Sequence, residues 1–332
     1  MTAEQTARPP QRVSADDGGA AFAARLAAAP LARLALAYAV LVAVFAVTAD
    51  HFLTTDNFLN IGRATAVFGI AALGLTVALI AGALDVSFGA VMSVCGIVAA
   101  ERIAAGAGVV TAIAVALAVG VGLGLVNGAL TAALRLDPLI VTLGTLSIFG
   151  GWAFLHTNGA PTPASSEAFA KVGRGETLGI PTPVVIMLGV AVVLAVLLRW
   201  TSFGQRCYLV GDNARAAALV GVRTAWVRAA ALAISGATAA LAGAVMVANA
   251  GVANAGEGER HLLNAIAAVV IGGTALSGGA GLIAGTVLGI AVLGTIDNGL
   301  NLLGVSSTWQ DVLKGLIVIG ALVLDRVRRR DP

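Results

Sequence analysis

Long apolar runs, separated by short polar, charged or glycine-rich breaks, fill the chain between residues 31 and 325. Most runs approach or reach the roughly 20 residues with which a helix crosses about 30 Å of hydrocarbon. The pattern predicts an all-α polytopic membrane protein of about ten transmembrane helices. The range is eight to ten, because two glycine-rich boundaries between spans are weak. The predicted spans are 31–49, 62–81, 86–100, 108–132, 138–156, 181–198, 225–247, 263–277, 281–303 and 311–325.

Composition excludes the main alternatives to this architecture. Apolar residues make up 58% of the chain and charged residues 11%, with a mean hydropathy of +0.95, whereas soluble domains contain about 25% charged residues. The apolar runs are continuous, without the alternation of a membrane β-barrel. The net charge of +3 is small and carried mostly by scattered arginines, so no nucleic-acid partner is expected.

The two ends of the chain differ from its middle. Residues 1–30 form a polar segment that predicts a flexible tail, and residues 326–332 form a short basic tail. The first apolar run lacks a convincing signal-peptide cleavage site, so we expect it to remain as the first span. Residues 31–325 are then one transmembrane domain.

Basic residues indicate the orientation, because they are retained on the cytoplasmic side of membrane proteins. With ten spans and the N-terminus inside, 14 basic residues fall in inner segments and five in outer ones, with Lys314 near the outer end of the last span. Both termini and the segment 199–228 are therefore expected in the cytoplasm. The loop 157–180 is expected outside.

The segment 199–228, hereafter the arginine island, interrupts the apolar pattern with five arginines. Within it, Asn213 is a good N-cap and Gly221 a good helix stop, which predicts a short helix from residue 213 to residue 219. Elsewhere, glycines four residues apart predict close packing of helices. They are Gly120, Gly124, Gly128, Gly281, Gly285 and Gly289.

Nothing in the chain points to covalent chemistry, and no metal site is expected. His51, His156 and His261 lie far apart at predicted span ends, where interfacial capping is the favoured interpretation. The dinucleotide-like spacing at 279–284 lies inside an apolar stretch, and no phosphate-binding loop ending in Gly-Lys occurs. A disulfide between the two cysteines is not expected, since they lie at different depths or on a reducing face.

Two groups of polar residues within the apolar region are candidates for a hinge or for the lining of a transport pathway. The first is the break containing Gly82, Asp85, Ser87 and Gly89, where the alternative is that Asp85 caps the next helix. The second is the pair Asp297 and Asn298, which could line a vestibule or bond across helices.

A second glycine-rich break, at residues 272–281, matches the first break in the other half of the chain. Paired, glycine-interrupted segments in two halves indicate a transport pathway built from broken helices.

Several of these segments together resemble the ribose-type permeases of bacterial ATP-binding-cassette importers. The resemblance covers about residues 57 to 325. The segments are AGALDVSFG at 81–89, PLIVTLGTLS at 138–147, FGQR at 203–206, GDNARAAALVG at 211–221, AIAAVVIGGT at 265–274 and NGLNLLGVSS at 298–307.

The resemblance implies a permease subunit of the bacterial inner membrane that carries a simple sugar. It implies a permease dimer, ATPase subunits on the cytoplasmic side that bind the ATP, an extracytoplasmic solute-binding protein, and no cofactor on this chain. The coupling helix that contacts the ATPase would consist of Asn213, Ala214, Arg215, Ala216, Ala217, Ala218 and Leu219, and would end at Gly221.

Two departures bear on these expectations. Phe88 stands where the family often has a small aliphatic residue, and the loop 157–180 is longer and richer in Pro and Ser. The alternatives are a permease for branched-chain amino acids or nucleosides, an ion-coupled transporter using Asp85 or Asp297, and a membrane scaffold that transports nothing.

Overall fold

The computed structural model describes residues 30–306, 308–310, 312–316 and 320. The described chain is almost entirely helical. In chain order its elements are α1 Pro30–Thr48, α2 Thr55–Ile80, α3 Phe88–Ala104, α4 Val109–Leu134, α5 Pro138–Thr157, β1 Thr162–Pro163, α6 Glu167–Arg174, β2 Glu176–Thr177, β3 Ile180–Pro181, α7 Thr182–Trp200, α8 Ser202–Asp212, α9 Ala214–Leu219, α10 Thr224–Ala250, β4 Val252–Ala253, a 3₁₀ turn Gly258–His261, α11 Leu262–Ile271 and α12 Ile283–Leu302. Residues 308–310 and 312–316 are also helical.

Seven helices of the described chain are long and apolar enough to cross a membrane, namely α1, α2, α4, α5, α7, α10 and α12. The prediction of a polytopic helical protein is confirmed, but the predicted count of about ten is not reproduced. Helix α3 has 17 residues and α11 only 10. The predicted span 263–277 ends early at Ile271, because a glycine turn with Gly273 at φ +83° follows. The predicted span 311–325 lies largely outside the described residues, as do the two tails.

Helices α2 and α10 form the centre of the bundle. In the most apolar stretch of α2, 89% of the residues are buried, and in that of α10, 78%, against 6% in α1 and 22% in α4. Helix α4 packs on α10 through Gly120, Gly124 and Gly128, and a Cβ on Gly124, for example, would clash with the Leu232 carbonyl oxygen. The predicted glycine packing is confirmed here, and Gly285 contacts the backbone of Gly272 in the same way.

The bundle has two distinct ends. One end, hereafter the island end, carries α8, α9 and the turns that follow α2 and α11. The opposite end, hereafter the far end, carries the loop 157–180, in which β1 pairs with β4 and α6 packs on the end of α10. The arginine island and the loop 157–180 therefore lie at opposite ends, as the span pattern predicts.

Candidate functional site

The first break is held by a network of buried polar groups. The Asp85 Oδ1 accepts hydrogen bonds from the Ser87 amide at 2.9 Å and from the Ser87 hydroxyl at 2.6 Å. The Asp85 Oδ2 accepts from the Ser235 hydroxyl at 2.8 Å, and Asn127 donates to the Ser87 Oγ at 2.8 Å. These four side chains are at most 1% exposed. The network ties the start of α3 to α4 and α10.

Helix α5 holds the same break from the other side. The Thr142 hydroxyl donates to the Leu84 carbonyl at 3.0 Å and accepts from the Val86 amide at 3.3 Å. A buried charged group is tolerated only when its hydrogen bonds are satisfied, and both Asp85 oxygens are engaged. Asp85 accepts from the Ser87 amide just before α3, as a capping residue would, and both residues are enclosed by protein.

Helix α12, which follows the second break, is also anchored by polar pairs. Asn298 on α12 and Asn57 on α2 exchange two amide hydrogen bonds, at 3.0 and 2.8 Å. Asp297 forms an ion pair with Lys314 at 3.1 Å. Both residues therefore make contacts across helices, and a lining role in a vestibule stays a prediction.

Helix α8 of the arginine island lies between the two glycine breaks. The Ile80 carbonyl, at the end of α2, accepts a hydrogen bond from the Gly279 amide at 3.0 Å. Gly211 of α8 sits against both groups, and a Cβ there would clash with both the Ile80 oxygen and the Gly279 nitrogen. One turn earlier, the Tyr208 hydroxyl donates to the Gly281 carbonyl at 2.9 Å. The island helix therefore contacts both breaks directly.

Further backbone contacts occur where α8 meets the two breaks. We call this cluster the glycine junction, and it consists of Gly82, Gly211, Gly278 and Gly279. Gly82 and Gly278 have φ angles of +67° and +91°, which side chains other than glycine rarely adopt. A Cβ on Gly278 would lie 2.9 Å from both the Gly82 Cα and the Gly211 oxygen. No room remains for side chains, so α8 packs backbone to backbone against both breaks.

Helix α9 follows α8 after a sharp change of direction at Asn213. The Asn213 Oδ1 accepts from the Arg215 and Ala216 amides at 3.1 and 3.0 Å, which is the N-cap that the sequence predicts. At the other end, Gly221 has φ +83° and its amide bonds to the Ala218 carbonyl. Helix α9 is therefore a short, well-capped unit from Ala214 to Leu219.

The surface beside α9 is apolar and exposed. Leu219, Val220 and Trp226 are 89%, 72% and 65% exposed. Val220 and Trp226 line a shallow cavity of about 480 Å³, together with Arg206 and Arg223. Large exposed apolar groups with arginines beside them are typical of a surface that binds another protein.

Other reactive groups take no part in the site. Cys95 and Cys207 are both free and buried, and burial raises the pKa of the Cys207 thiol to about 12. No group of three potential metal ligands occurs among the described residues. His156 instead bonds to Glu101 at 2.7 Å and stacks on Trp152 at the far end.

The sequence prediction missed α8 and its contacts with the breaks. Thr201, whose hydroxyl accepts from the Gly204 amide, caps this helix. The buried positions Gly204, Cys207 and Val210 repeat every three residues and form its inner face. This spacing and the cap residue are a helix signal that the five arginines obscured.

One protein family matches the part of the chain that contains both breaks and the arginine island. The family described as "Branched-chain amino acid transport system / permease component" matches residues 57–322, which include both breaks and the whole island. The chain belongs to this permease family. Its members are transport components rather than enzymes. No solved structure matches the chain significantly.

Relatives in this permease family align over nearly their whole length. The ribose import permease protein of Bacillus subtilis is 41% identical over 289 residues, which are 86% of this chain and 90% of the relative. The ribose import permease protein of Escherichia coli K12 is 35% identical, covering 89% and 93%. The L-arabinose transport system permease protein of the same strain is 32% identical, covering 88% and 89%.

Proposed function

We propose that this protein is the membrane-spanning permease subunit of an ATP-binding-cassette importer for a simple sugar in the bacterial inner membrane. Three relatives that cover most of the chain are permeases for ribose or arabinose. The ion-coupled alternative needs an available acid inside the bundle, but Asp85 is fully hydrogen-bonded and Asp297 is paired with Lys314. The importer function therefore has the stronger support.

The observation that carries the proposal is the position of α8 between the two glycine breaks. A separate ATPase that pushes on α9 would also move α8, because a single residue, Asn213, separates the two helices in the chain. Gly211 would transmit this displacement to Ile80 and Gly279 at once, because no compressible side chain lies between these backbones. The two breaks would then tilt together, and access would alternate between the two sides of the membrane.

The ATPase would bind at the apolar surface beside α9. Leu219, Val220 and Trp226 supply apolar area, and Arg206 and Arg223 supply charge for acidic groups on the partner. The side chain of Ala217 is fully buried beneath this surface, which makes α9 a rigid unit rather than a loose flap. ATP would bind to the partner, and this chain would bind no cofactor.

The charge distribution assigns the sides of the membrane. The excess of basic residues in the predicted inner segments supports a cytoplasmic position of the island end. The far end would then meet the solute-binding protein, whose docking area would include α6 and the hairpin of β2 and β3. Two copies of the permease would form one pathway.

Uptake by whole cells tests the substrate class. A strain that lacks its own pentose permeases receives the gene together with its neighbouring genes for an ATPase and a binding protein. We expect uptake of labelled ribose, arabinose or another pentose, with no uptake of leucine above background. Leucine uptake without any sugar uptake would instead identify a branched-chain amino-acid permease.

A further inference from the structure

The segment from Asn254 to Asn264 turns back from the far end into the bundle. It follows β4, which pairs with the loop 157–180 at the far end. The Gly258 amide then donates to the Ser93 Oγ at 3.0 Å. Ser93 lies eleven residues before the end of α3, roughly 16 Å below the far end at 1.5 Å per residue. Because half the hydrocarbon thickness is about 15 Å, Gly258 lies near the middle of the membrane.

Glycines on two neighbouring helices make room for this re-entrant segment. A Cβ on Gly89 of α3 would lie 3.0 Å from the Glu259 Cα, and a Cβ on Gly150 of α5 would lie 2.7 Å from the Glu259 Oε1. The segment is therefore packed closely against α3 and α5. Its depth is given by the Glu259 backbone beside Gly89 and by the hydrogen bond from the Gly258 amide to Ser93.

The re-entrant segment is polar at a depth where polar groups are costly. Six of its eleven residues are polar, namely Asn254, Glu257, Glu259, Arg260, His261 and Asn264. The Arg260 side chain is 78% exposed, and its contact with Glu257 is a long one of 3.7 Å. An arginine facing lipid at the centre of a helix costs about 2.5 to 3.5 kcal/mol or more. The exposed face of this segment must therefore meet water or protein rather than lipid.

Some of these polar groups have no hydrogen-bond partner among the described residues. The side chains of Glu259 and Asn264 form no hydrogen bond with the part of the chain that the structure describes. Carboxylate and amide groups pair well with hydroxyl groups. The segment carries both signs of charge, which suits a neutral solute rather than an ion.

We propose that the re-entrant segment lines a water-filled path at mid-membrane, where Glu259 and Asn264 bind the hydroxyl groups of a neutral polyhydroxylated solute. This inference rests on the proposed function for the identity of the solute. The water-filled path itself can be tested without transport. Two experiments separate these parts.

Cysteine labelling tests the path. Arg260→Cys and Asn264→Cys are made in a chain carrying Cys95→Ala and Cys207→Ser, and the complex in membranes is treated from each side with a charged, membrane-impermeant methanethiosulfonate. Val193→Cys on α7 is the matched control, since Val193 is 65% exposed and also eleven residues from the far end of its helix. We expect labelling at least tenfold faster at residues 260 and 264. Labelling as slow as at residue 193 from both sides overturns the inference.

Transport kinetics test the contacts with the solute. In proteoliposomes containing the ATPase and binding protein, Glu259→Gln and Asn264→Ala should each lower sugar uptake about tenfold, the loss of roughly one hydrogen bond. Stimulation of ATP hydrolysis by the loaded binding protein should remain. Unchanged uptake and sugar preference in both variants overturn the assignment of these residues. Labelling of the Arg260→Cys complex, combined with a wild-type complex that carries no sugar, contradicts the proposed function and leaves the water-filled path supported.

Discussion

The Ile80 carbonyl and the Gly279 amide, nearly 200 residues apart in the chain, are joined by a hydrogen bond of 3.0 Å. This bond links the end of α2 to the turn after α11, and Gly211 of the arginine island covers it. The arginine island is therefore in direct backbone contact with both glycine-rich breaks. Transport driven from the island end needs such a connection.

The first prediction concerns the glycine junction. Gly211→Ala places a methyl group against the Ile80 oxygen, and overpacking of this kind typically costs about 1 to 3 kcal/mol. We expect sugar uptake to fall at least tenfold while the ATPase still hydrolyses ATP. Gly189→Ala on α7 is the control, since a Cβ there meets nothing within 4 Å. Equal uptake by both variants would show that the junction does not transmit the movement.

The second prediction concerns the surface beside α9. Leu219→Asp introduces a charge into the proposed ATPase contact, and we expect at least tenfold weaker binding of the ATPase in a pull-down from detergent. The melting temperature of the permease alone should not change, because Leu219 is 89% exposed. Leu178→Asp, at a residue 98% exposed at the far end, should leave ATPase binding intact. Unaltered binding by the Leu219 variant would place the ATPase elsewhere.

The third prediction separates the two interpretations of Asp85. Asp85→Asn keeps the size of the side chain but replaces one of its two oxygens, so either the Ser87 or the Ser235 hydroxyl loses its acceptor. The free energy of unfolding should fall by about 1 to 3 kcal/mol. We expect a lower melting temperature with unchanged sugar preference. Asp137→Asn is the control, since asparagine caps a helix about as well as aspartate and Asp137 is exposed. A changed sugar preference without loss of stability would instead support a role of Asp85 in the pathway.

The fourth prediction concerns the Cys207 thiol. With its pKa raised to about 12, roughly one molecule in ten thousand carries the thiolate at pH 8, and alkylation requires the thiolate. Iodoacetamide at pH 8 should therefore leave Cys207 unmodified in the native protein and modify it after denaturation, as measured by mass spectrometry of the peptides. Rapid native modification would mean that α8 is not packed against the bundle.

Local signals in the sequence predicted much of this structure. Asn213 and Gly221 mark the ends of α9 because capping depends on residues only a few positions apart. The glycine spacing of α4 likewise predicted its packing, since residues four apart share one face of a helix.

The remaining features depend on contacts between distant parts of the chain. The pairing of Asp85 with Ser235 spans 150 residues, and neither residue indicates its partner by its type. The early end of α11 was missed because the predicted span 263–277 continues with mostly apolar and small residues past Ile271, where the helix ends. The packing of α8 between the two breaks follows only from the arrangement of the whole bundle.

The most direct test of the central claim is the initial rate of pentose uptake by proteoliposomes that contain the permease, its ATPase and its binding protein, with ATP supplied on the ATPase side. The account predicts uptake that requires all three proteins and ATP, persists when a protonophore collapses the proton gradient, and falls at least tenfold with Gly211→Ala. Uptake by the permease alone that collapses with the proton gradient would contradict the account.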